Sequence, residues 1–343
     1  MIWEPHAAFC YVDDYLLLVP ESRVAEVSAL AQIFFTTLGI PLSWHKVSAG
    51  GEVDFLGFEV NAATGEIGIP SSKLSKALEF LDLKKGNRVN VRSIEQGRGR
   101  LLWFTWVCPA LRPWLAPYFS CCKFPGAGQR IRVTGQLEKV SAFWRSALLH
   151  RDGVMHQCIL RTSAGGNGAA DACAAGDRAA IGGWWSSSAN AQLNEVRWFR
   201  MEVRMQDLPH WLQTQVSANQ RIAFFELLAQ AALVFLRCRD SPCSTSSLEF
   251  SHKCDNAASV GAVKKYLTTK APLCFALQAL TFHASSFDCV VSVSHIPGVS
   301  NTLADHISRW KQYPHTIEKL DRRKEVKDFC LRDILGPVWD ICS

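Results

Sequence analysis

His295-Ile-Pro-Gly-Val-Ser-Asn-Thr-Leu-Ala-Asp305 is the stretch on which the reading of this chain turns. An apolar run at Cys289–Ser294 reads as a strand leading into it. Pro297-Gly298 ends that strand, and a helix is expected after Pro297. Taken singly, His295 fits a loop histidine without a task, and Asp305 fits a solvated helix residue. The stretch gains meaning from what stands upstream of it.

Three further acids lie in distinctive settings. Asp255 sits in Cys-Asp-Asn-Ala-Ala, which alone reads as a helix cap. Glu226 sits in Phe-Phe-Glu-Leu-Leu-Ala, on an otherwise apolar helix expected at Ile222–Arg237, and alone it fits a core acid paired with a nearby arginine. Asp171 sits in Ala-Asp-Ala-Cys, ahead of Gly182-Gly183-Trp184, with Asp177 as a rival. It falls in a Gly/Ala/Ser-rich zone, Ser163–Gly176, and the better strand, Cys158–Leu160, precedes that zone. A strand at Ile181–Trp185 and a helix after Asp255 complete a mixed pattern that implies an α/β (α+β) domain.

The chain has 343 residues, a length that suggests about two domains and a sizeable core. With 48% hydrophobic and 20% charged residues, wholesale disorder is excluded. A net charge of +6 is mildly basic and compatible with a polyanionic partner. The basic residues concentrate in Lys84, Lys85, Arg88, Arg92, Arg98 and Arg100, opposed in that window only by Glu95. An aromatic-rich helical stretch, Leu101–Phe119, follows. Those aromatics read first as helix-packing core and the basic residues as a solvated face, but together they also suit a groove that tracks a phosphate backbone.

The 13 cysteines include no Cys-x-x-Cys pair, so a disulfide framework is not expected. Cys238, Cys243, His252 and Cys254 are spaced as no standard zinc site and read as core or incidental residues. No secretory signal follows Met1, and the longest apolar run, Ile222–Leu236, is too short to span a bilayer. The chain is therefore read as soluble and intracellular, cytoplasmic or nuclear. The sequence offers neither a P-loop nor a Gly-x-Ser-x-Gly elbow.

In their order along the chain, Asp171, Glu226, Asp255, His295 and Asp305 resemble the ribonuclease H domain of retroelements. The stretches that carry the resemblance are Cys-Asp-Asn and His-Ile-Pro-Gly-x-x-Asn-x-x-Ala-Asp, closed by His-Ile-Ser-Arg. Cys-Asp-Asn with Phe-Glu-Leu-Leu-Ala points to retrotransposons of the LTR or tyrosine-recombinase kind. The resemblance implies hydrolysis of the RNA strand of an RNA–DNA hybrid, recognised by 2′-OH contacts and helix shape. It implies two Mg²⁺ ions about 4 Å apart, with Mn²⁺ as a possible substitute. Asp171 would bridge both ions, Glu226 and Asp255 would serve one, and Asp305 the other. His295 would move a proton or help product leave. The separation of Asp171 from Glu226 is longer than usual for the family and implies an insertion around 190–218.

Tyr11-Val12-Asp13-Asp14 reads as the tip of a hairpin formed by the apolar run Ala7–Val19, with flanks too apolar for an exposed loop. A plain turn is the bland reading. With its flanks the motif resembles the metal-binding hairpin of reverse transcriptases, which makes Asp13 and Asp14 candidate metal ligands. Leu38-Gly39-Ile40 followed by Lys46 is similar to the next motif, whose lysine lies near the incoming nucleotide. Val53–Phe58, with its Leu-Gly pair, is similar to the primer-gripping hairpin.

The implied organisation is a C-terminal palm remnant at 1–70 and a thumb/connection-like helical region at 71–150. A ribonuclease H-like mixed-sheet domain at 151–312 and a charged tail at 313–343 follow. In this family another metal-binding aspartate and the fingers lie upstream of the Tyr-x-Asp-Asp hairpin. The chain is thus expected to be the C-terminal portion of a longer polyprotein, with template-primer as a further partner, the missing N-terminal part as another, and polymerase activity lost. The alternative is a decayed element protein that binds nucleic acid without cutting it.

Overall fold

The structure, a computed structural model, describes residues 7–122, 129–150, 154–156, 162–163, 165–188, 190–213, 221–240 and 248–341. The strand expected at Cys158–Leu160 and the cysteine at 243 lie outside them. The chain forms two compact units, residues 1–79 with 146–159, and residues 80–145 with 160–343.

In the first unit, β1 (Ala7–Tyr11) and β2 (Asp14–Leu18) pair antiparallel around Val12 and Asp13, and helix α1 (Val24–Thr37) follows. Strands β3 (Glu52–Phe55), β4 (Phe58–Asn61) and β5 (Glu66–Gly68) make an antiparallel meander. Its first turn, Leu56-Gly57, has both residues at positive φ, the conformation that matches strand twist in a tight hairpin. Helix α2 (Ser71–Phe80) comes next.

In the second unit, β6 (Arg88–Asn90) leads into α3 (Val91–Phe104), α4 (Ala116–Cys121), β7 (Arg130–Arg132) and α5 (Gly135–His150). Asn90 caps α3 by accepting the Arg92 N–H at 2.9 Å. Val91, Ile94, Leu101 and Phe104 give α3 one buried face. Strand β8 (Val154–His156), which belongs to the first unit, pairs with β5.

A seven-stranded mixed sheet organises the rest. It contains β9 (Thr162–Ser163), β10 (Gly168–Ala175), β11 (Arg178–Trp185), β12 (Arg197–Arg204), β13 (Leu248–Cys254), β14 (Cys289–His295) and β15 (Glu325–Val326). The order is β14-β13-β10-β11-β12-β15, with β9 beside β13. Strands β10, β11 and β12 are an antiparallel meander, while β13 runs parallel to β10 and β14 parallel to β13. Helix α6 (Ile222–Asp240) is buried over nearly its whole length, which is why its sequence is apolar all round. Helices α7 (Ala257–Lys265) and α8 (Leu273–Ser286) separate β13 from β14, and α9 (Thr302–Ser308) follows β14. No helix among the described residues is long and apolar enough to cross a membrane.

Four expectations are corrected. Asp171 lies inside a strand, β10, although Gly-Ala-Ala-Asp-Ala-Cys-Ala-Ala has little intrinsic strand preference. Strand preference measures packing on a half-buried sheet, and β10 is buried where α6 and α9 pack close to it. The region 190–218 holds β12, a paired strand whose Trp198 and Phe199 are fully buried, so part of the supposed insertion is sheet.

Residues 80–145 do not form a separate helical region. Their aromatic face packs into the second unit, where Gln278 donates to the Pro113 carbonyl at 3.2 Å and Lys139 to that of Asp340 at 2.7 Å. Residues 313–341 are not a tail. They form α10 (Pro314–Glu318), β15, α11 (Leu331–Leu335) and α12 (Val338–Ile341), with Leu331, Ile334, Leu335 and Val338 buried. Most charges of that segment lie outward and disguised its apolar spacing, while Glu325 turns in to pair with Arg200 at 2.9 Å.

Candidate active site

Asp171 is the fourth residue of β10 and faces Gly182 of β11 across the ladder. A Cβ on Gly182 would lie 2.7 Å from the Ser308 backbone nitrogen and 2.7 Å from Ile307 Cγ2. The glycine therefore lets α9 settle on the sheet. That approach brings the Ser308 hydroxyl to Asp171, where it donates to Oδ2 at 2.8 Å. Asp171 is 5% exposed. Burial pushes its carboxyl up to about 7, and the charges of Asp255 and Asp305 add to this against the Ser308 hydrogen bond. Asp177 lies at the β10–β11 turn with its side chain 83% exposed, so Asp171 is the acid that joins the other carboxylates.

Glu226 occupies the second turn of α6 and is 9% exposed. Its carboxyl is hydrogen-bonded to the Asn256 side chain, while Oε2 is buried without a hydrogen-bond partner among the described residues. Burial, then the charges of Asp171 and Asp255, push its carboxyl up to about 8. One turn further along, Gln230 Nε2 donates to the carbonyls of Ala170 at 3.2 Å and Lys253 at 2.9 Å. The β10–β13 register ends at Ala169 opposite Lys253, so Gln230 ties the two strands together where their ladder stops. Asp171 and Asp255 lie just beyond that tie.

Asp255 follows the last residue of β13. It is not the cap of α7, because Asn256 performs that task by accepting the Ser259 N–H at 3.0 Å. The Asp255 carboxylate is left free, and its Oδ1 is buried without a partner. The Asp255 backbone carbonyl lies 3.1 Å from His295 Nε2. A Cβ on Gly298 would come within 3.2 Å of Asp255 Oδ2, so the glycine of the Pro-Gly turn passes close to this carboxylate without pressing on it. Donor atoms of Glu226, Cys254 and Asp255 all lie within 4.8 Å of one another. Asp305, on α9, is near enough for its charge to act on Asp171, but it is ion-paired with Arg309 Nε at 2.8 Å.

Glu226 and Asp255 are thus brought together with Asp171 nearby, His295 at the margin, and Asp305 approaching from the opposite face on α9. Three participants escaped the sequence reading. Cys254 and Ser308 belong to the quoted motifs but carried no assigned task, and Gln230 shows only as a polar residue one turn after Glu226. Of the four residues weighed for zinc, His252 is fully buried and Cys238 Sγ lies 3.3 Å from Cys289 Sγ.

The basic residues lie apart from the acidic cluster in sequence and are mostly exposed. Lys84, Lys85, Arg88, Arg92 and Arg100 are exposed, and Lys84 pairs with Asp82 at 3.0 Å. Arg98 is half-buried over the Phe119 ring at 4.5 Å. Strand β7 adds Arg132 opposite Arg88 and Arg130 opposite Asn90, both absent from the sequence reading.

In the first unit, Asp13 and Asp14 are exposed at the hairpin tip. The flanks expected to be covered are open as well, with Phe9, Tyr11, Val12 and Tyr15 exposed. Lys46 ends an exposed 3-10 turn, Trp44–Lys46. Among the described residues no third metal-ligating side chain joins the Asp13–Asp14 pair.

No protein-family model matches this chain, and no curated protein matches it. Solved structures show limited likeness. Ribonuclease H1 of Halobacterium salinarum is 16% identical over 42% of this chain and 93% of its own, with a TM-score of 0.31. The N-terminal ribonuclease H domain of a Mycobacterium tuberculosis protein is 15% identical over 45% and 96%, with a TM-score of 0.32. A foamy viral protease-reverse transcriptase in complex with double-stranded DNA is 14% identical over 84% of this chain and 55% of that one, at 0.35. At these scores the carboxylates and the sheet, rather than the likenesses, carry the functional reading.

Proposed function

We propose that the second unit hydrolyses the RNA strand of RNA–DNA hybrids, using divalent ions held by Asp171, Glu226, Asp255 and Asp305. The observation that carries this reading is the convergence of acids around two buried oxygens, Glu226 Oε2 and Asp255 Oδ1, that have no hydrogen-bond partner among the described residues. Buried unpaired carboxylates are costly, and a hard divalent cation is the partner their oxygens suit. The donor set therefore fits Mg²⁺, or Mn²⁺ in its place. Such ions would supply positive charge against the scissile phosphate and lower the cost of activating water.

The chain's own residues do the rest. Ser308 fixes the orientation of Asp171. Gln230 sets the spacing of the strands that carry Asp171 and Asp255. His295, exposed beside Asp255, is placed to hold or pass a proton at the leaving 3′-oxygen. Lys84, Lys85, Arg88, Arg92, Arg98 and Arg100, with Arg130 and Arg132, form the surface that would follow the phosphates.

The Tyr11–Asp14 hairpin and Lys46 are read by resemblance as polymerase elements. Two carboxylates on one hairpin do not make a two-metal clamp, so no polymerisation is assigned to them. A second reading, binding without cutting, is favoured by the Asp305–Arg309 ion pair, which occupies one of the four acids.

The test is incubation of the chain with labelled RNA–DNA hybrid, duplex RNA or duplex DNA, in Mg²⁺ or chelator. Cutting of the RNA strand of the hybrid alone, and only with Mg²⁺, is expected. Metal-independent or indiscriminate cutting contradicts the proposal. Salt-sensitive hybrid binding without cutting selects the second reading.

A further inference from the structure

The thiol of Cys254 lies among the carboxylates rather than behind them. Its Sγ shares the 4.8 Å cluster with oxygens of Glu226 and Asp255. Cys254 is fully buried at the end of β13, and its thiol makes a weak contact, 4.0 Å to the Asn256 carbonyl. Glu226 Oε2, nine-tenths buried in the same cluster and unpartnered, is the independent sign that the cluster is built to receive a ligand.

A sulfur among oxygens changes which ions a site prefers. Mg²⁺ takes oxygen ligands and has little use for a thiol. Zn²⁺ and Cd²⁺ accept thiolate and carboxylate together and are satisfied by four ligands. We propose that Cys254, Glu226 and Asp255 form a mixed sulfur–oxygen site that captures thiophilic divalent ions, Zn²⁺ above all, and thereby excludes Mg²⁺. Capture breaks the S–H bond of Cys254 and the O–H bond of the Glu226 carboxyl, forms sulfur–metal and oxygen–metal bonds, and releases both protons to water. Two carboxylates and the thiolate then hold the ion, with a fourth position left for water. Since Glu226 and Asp255 are the acids assigned to Mg²⁺ above, this inference rests on that reading of the site, and its consequence is inhibition of hydrolysis by Zn²⁺.

The test uses the full chain and Cd²⁺ as a spectroscopic stand-in for Zn²⁺, without Mg²⁺. The first equivalent of Cd²⁺ is expected to produce sulfur-to-cadmium charge-transfer absorption. It is also expected to give a cadmium-113 resonance typical of one sulfur among oxygens. Cys254→Ser removes both signals, Glu226→Gln weakens binding about tenfold or more, and excess Mg²⁺ competes.

An unchanged first-equivalent signal in Cys254→Ser overturns the proposal, because another thiol is then responsible. So does a signal that needs Cys254 but not Glu226, or a multi-sulfur resonance. The resonance of the unmutated chain decides the matter if the serine variant does not fold. Failure of the two readings is separable. A Cys254- and Glu226-dependent signal in a chain that never cuts hybrid sinks only the hydrolytic reading. Normal Mg²⁺-dependent cutting with a Cys254-independent signal sinks only this one.

Discussion

Asp255 and its neighbour Asn256 show how one residue's freedom depends on the next. Asn256 caps α7, and this leaves the Asp255 carboxylate unspent. The sequence alone allowed Asp255 to be that cap, and only the structure separates the two tasks. Ser308 is the sole hydrogen-bonding side chain seen on Asp171 among the described residues. Ser308→Ala removes it at a cost of about 1–3 kcal/mol in how Asp171 is held. The expected outcome is weaker Mg²⁺ binding with the melting temperature little changed, read by titration calorimetry beside a thermal melt. For His295→Ala, slower multiple turnover with residual cutting is expected, because the imidazole hydrogen-bonds the Asp255 backbone rather than a carboxylate. Complete loss of single-turnover cutting in a folded variant would contradict the auxiliary role. His295 and Asp305 were legible in the sequence because one stretch spaces them together. Cys254, Gln230 and Ser308 were not, because their partners come from other elements.

Elements meet at this site through small residues. Helix α9 reaches β11 because Gly182 has no side chain, and Ser308 arrives at Asp171 by the same approach. Gly182→Ala would press on backbone of α9, which cannot turn aside as a flexible side chain can. Overpacking of this kind costs about 1–3 kcal/mol. A lowered melting temperature and a disproportionate loss of cutting are expected. An alanine variant with wild-type activity would show that the α9 approach is not needed.

Helix α6 contributes twice, with Glu226 at the cluster and Gln230 between the strands. Its length and apolar character were plain from the sequence, and so were β11 and β14. Strand β10 was not, because alanine and glycine carry almost no strand signal until helices on either side bury them. A different limit hid β12, where three arginines and a glutamate surround the buried pair Trp198 and Phe199 in a stretch read as an insertion.

Across the whole molecule, the buried acids link stability to pH. Asp171 and Glu226 ionise near 7 and 8 in the fold, against ordinary values of 3.8 and 4.5. Their folded forms hold protons that the unfolded chain has already lost, so this contribution is full below about pH 4 and falls as pH rises through 7 to 8. Without metal, the melting temperature is expected to fall between pH 5 and about pH 8, and Mg²⁺ to restore it most at the upper end. A melting temperature insensitive to pH and to Mg²⁺ would contradict the placement of these acids.

The division of the chain was only partly readable. Residues 80–145 carry their own helices and aromatics, and nothing in their sequence says which partner those aromatics meet. The central claim is that the converging carboxylates cut RNA, and one comparison tests it most directly: Mg²⁺-dependent cutting of labelled hybrid by the unaltered chain and by Asp255→Asn, with thermal melts of both. The account predicts that the asparagine variant loses cutting while melting no lower than the parent, since Asp255 Oδ1 is buried with no hydrogen-bond partner to lose among the described residues. Cutting that survives Asp255→Asn unchanged would contradict it.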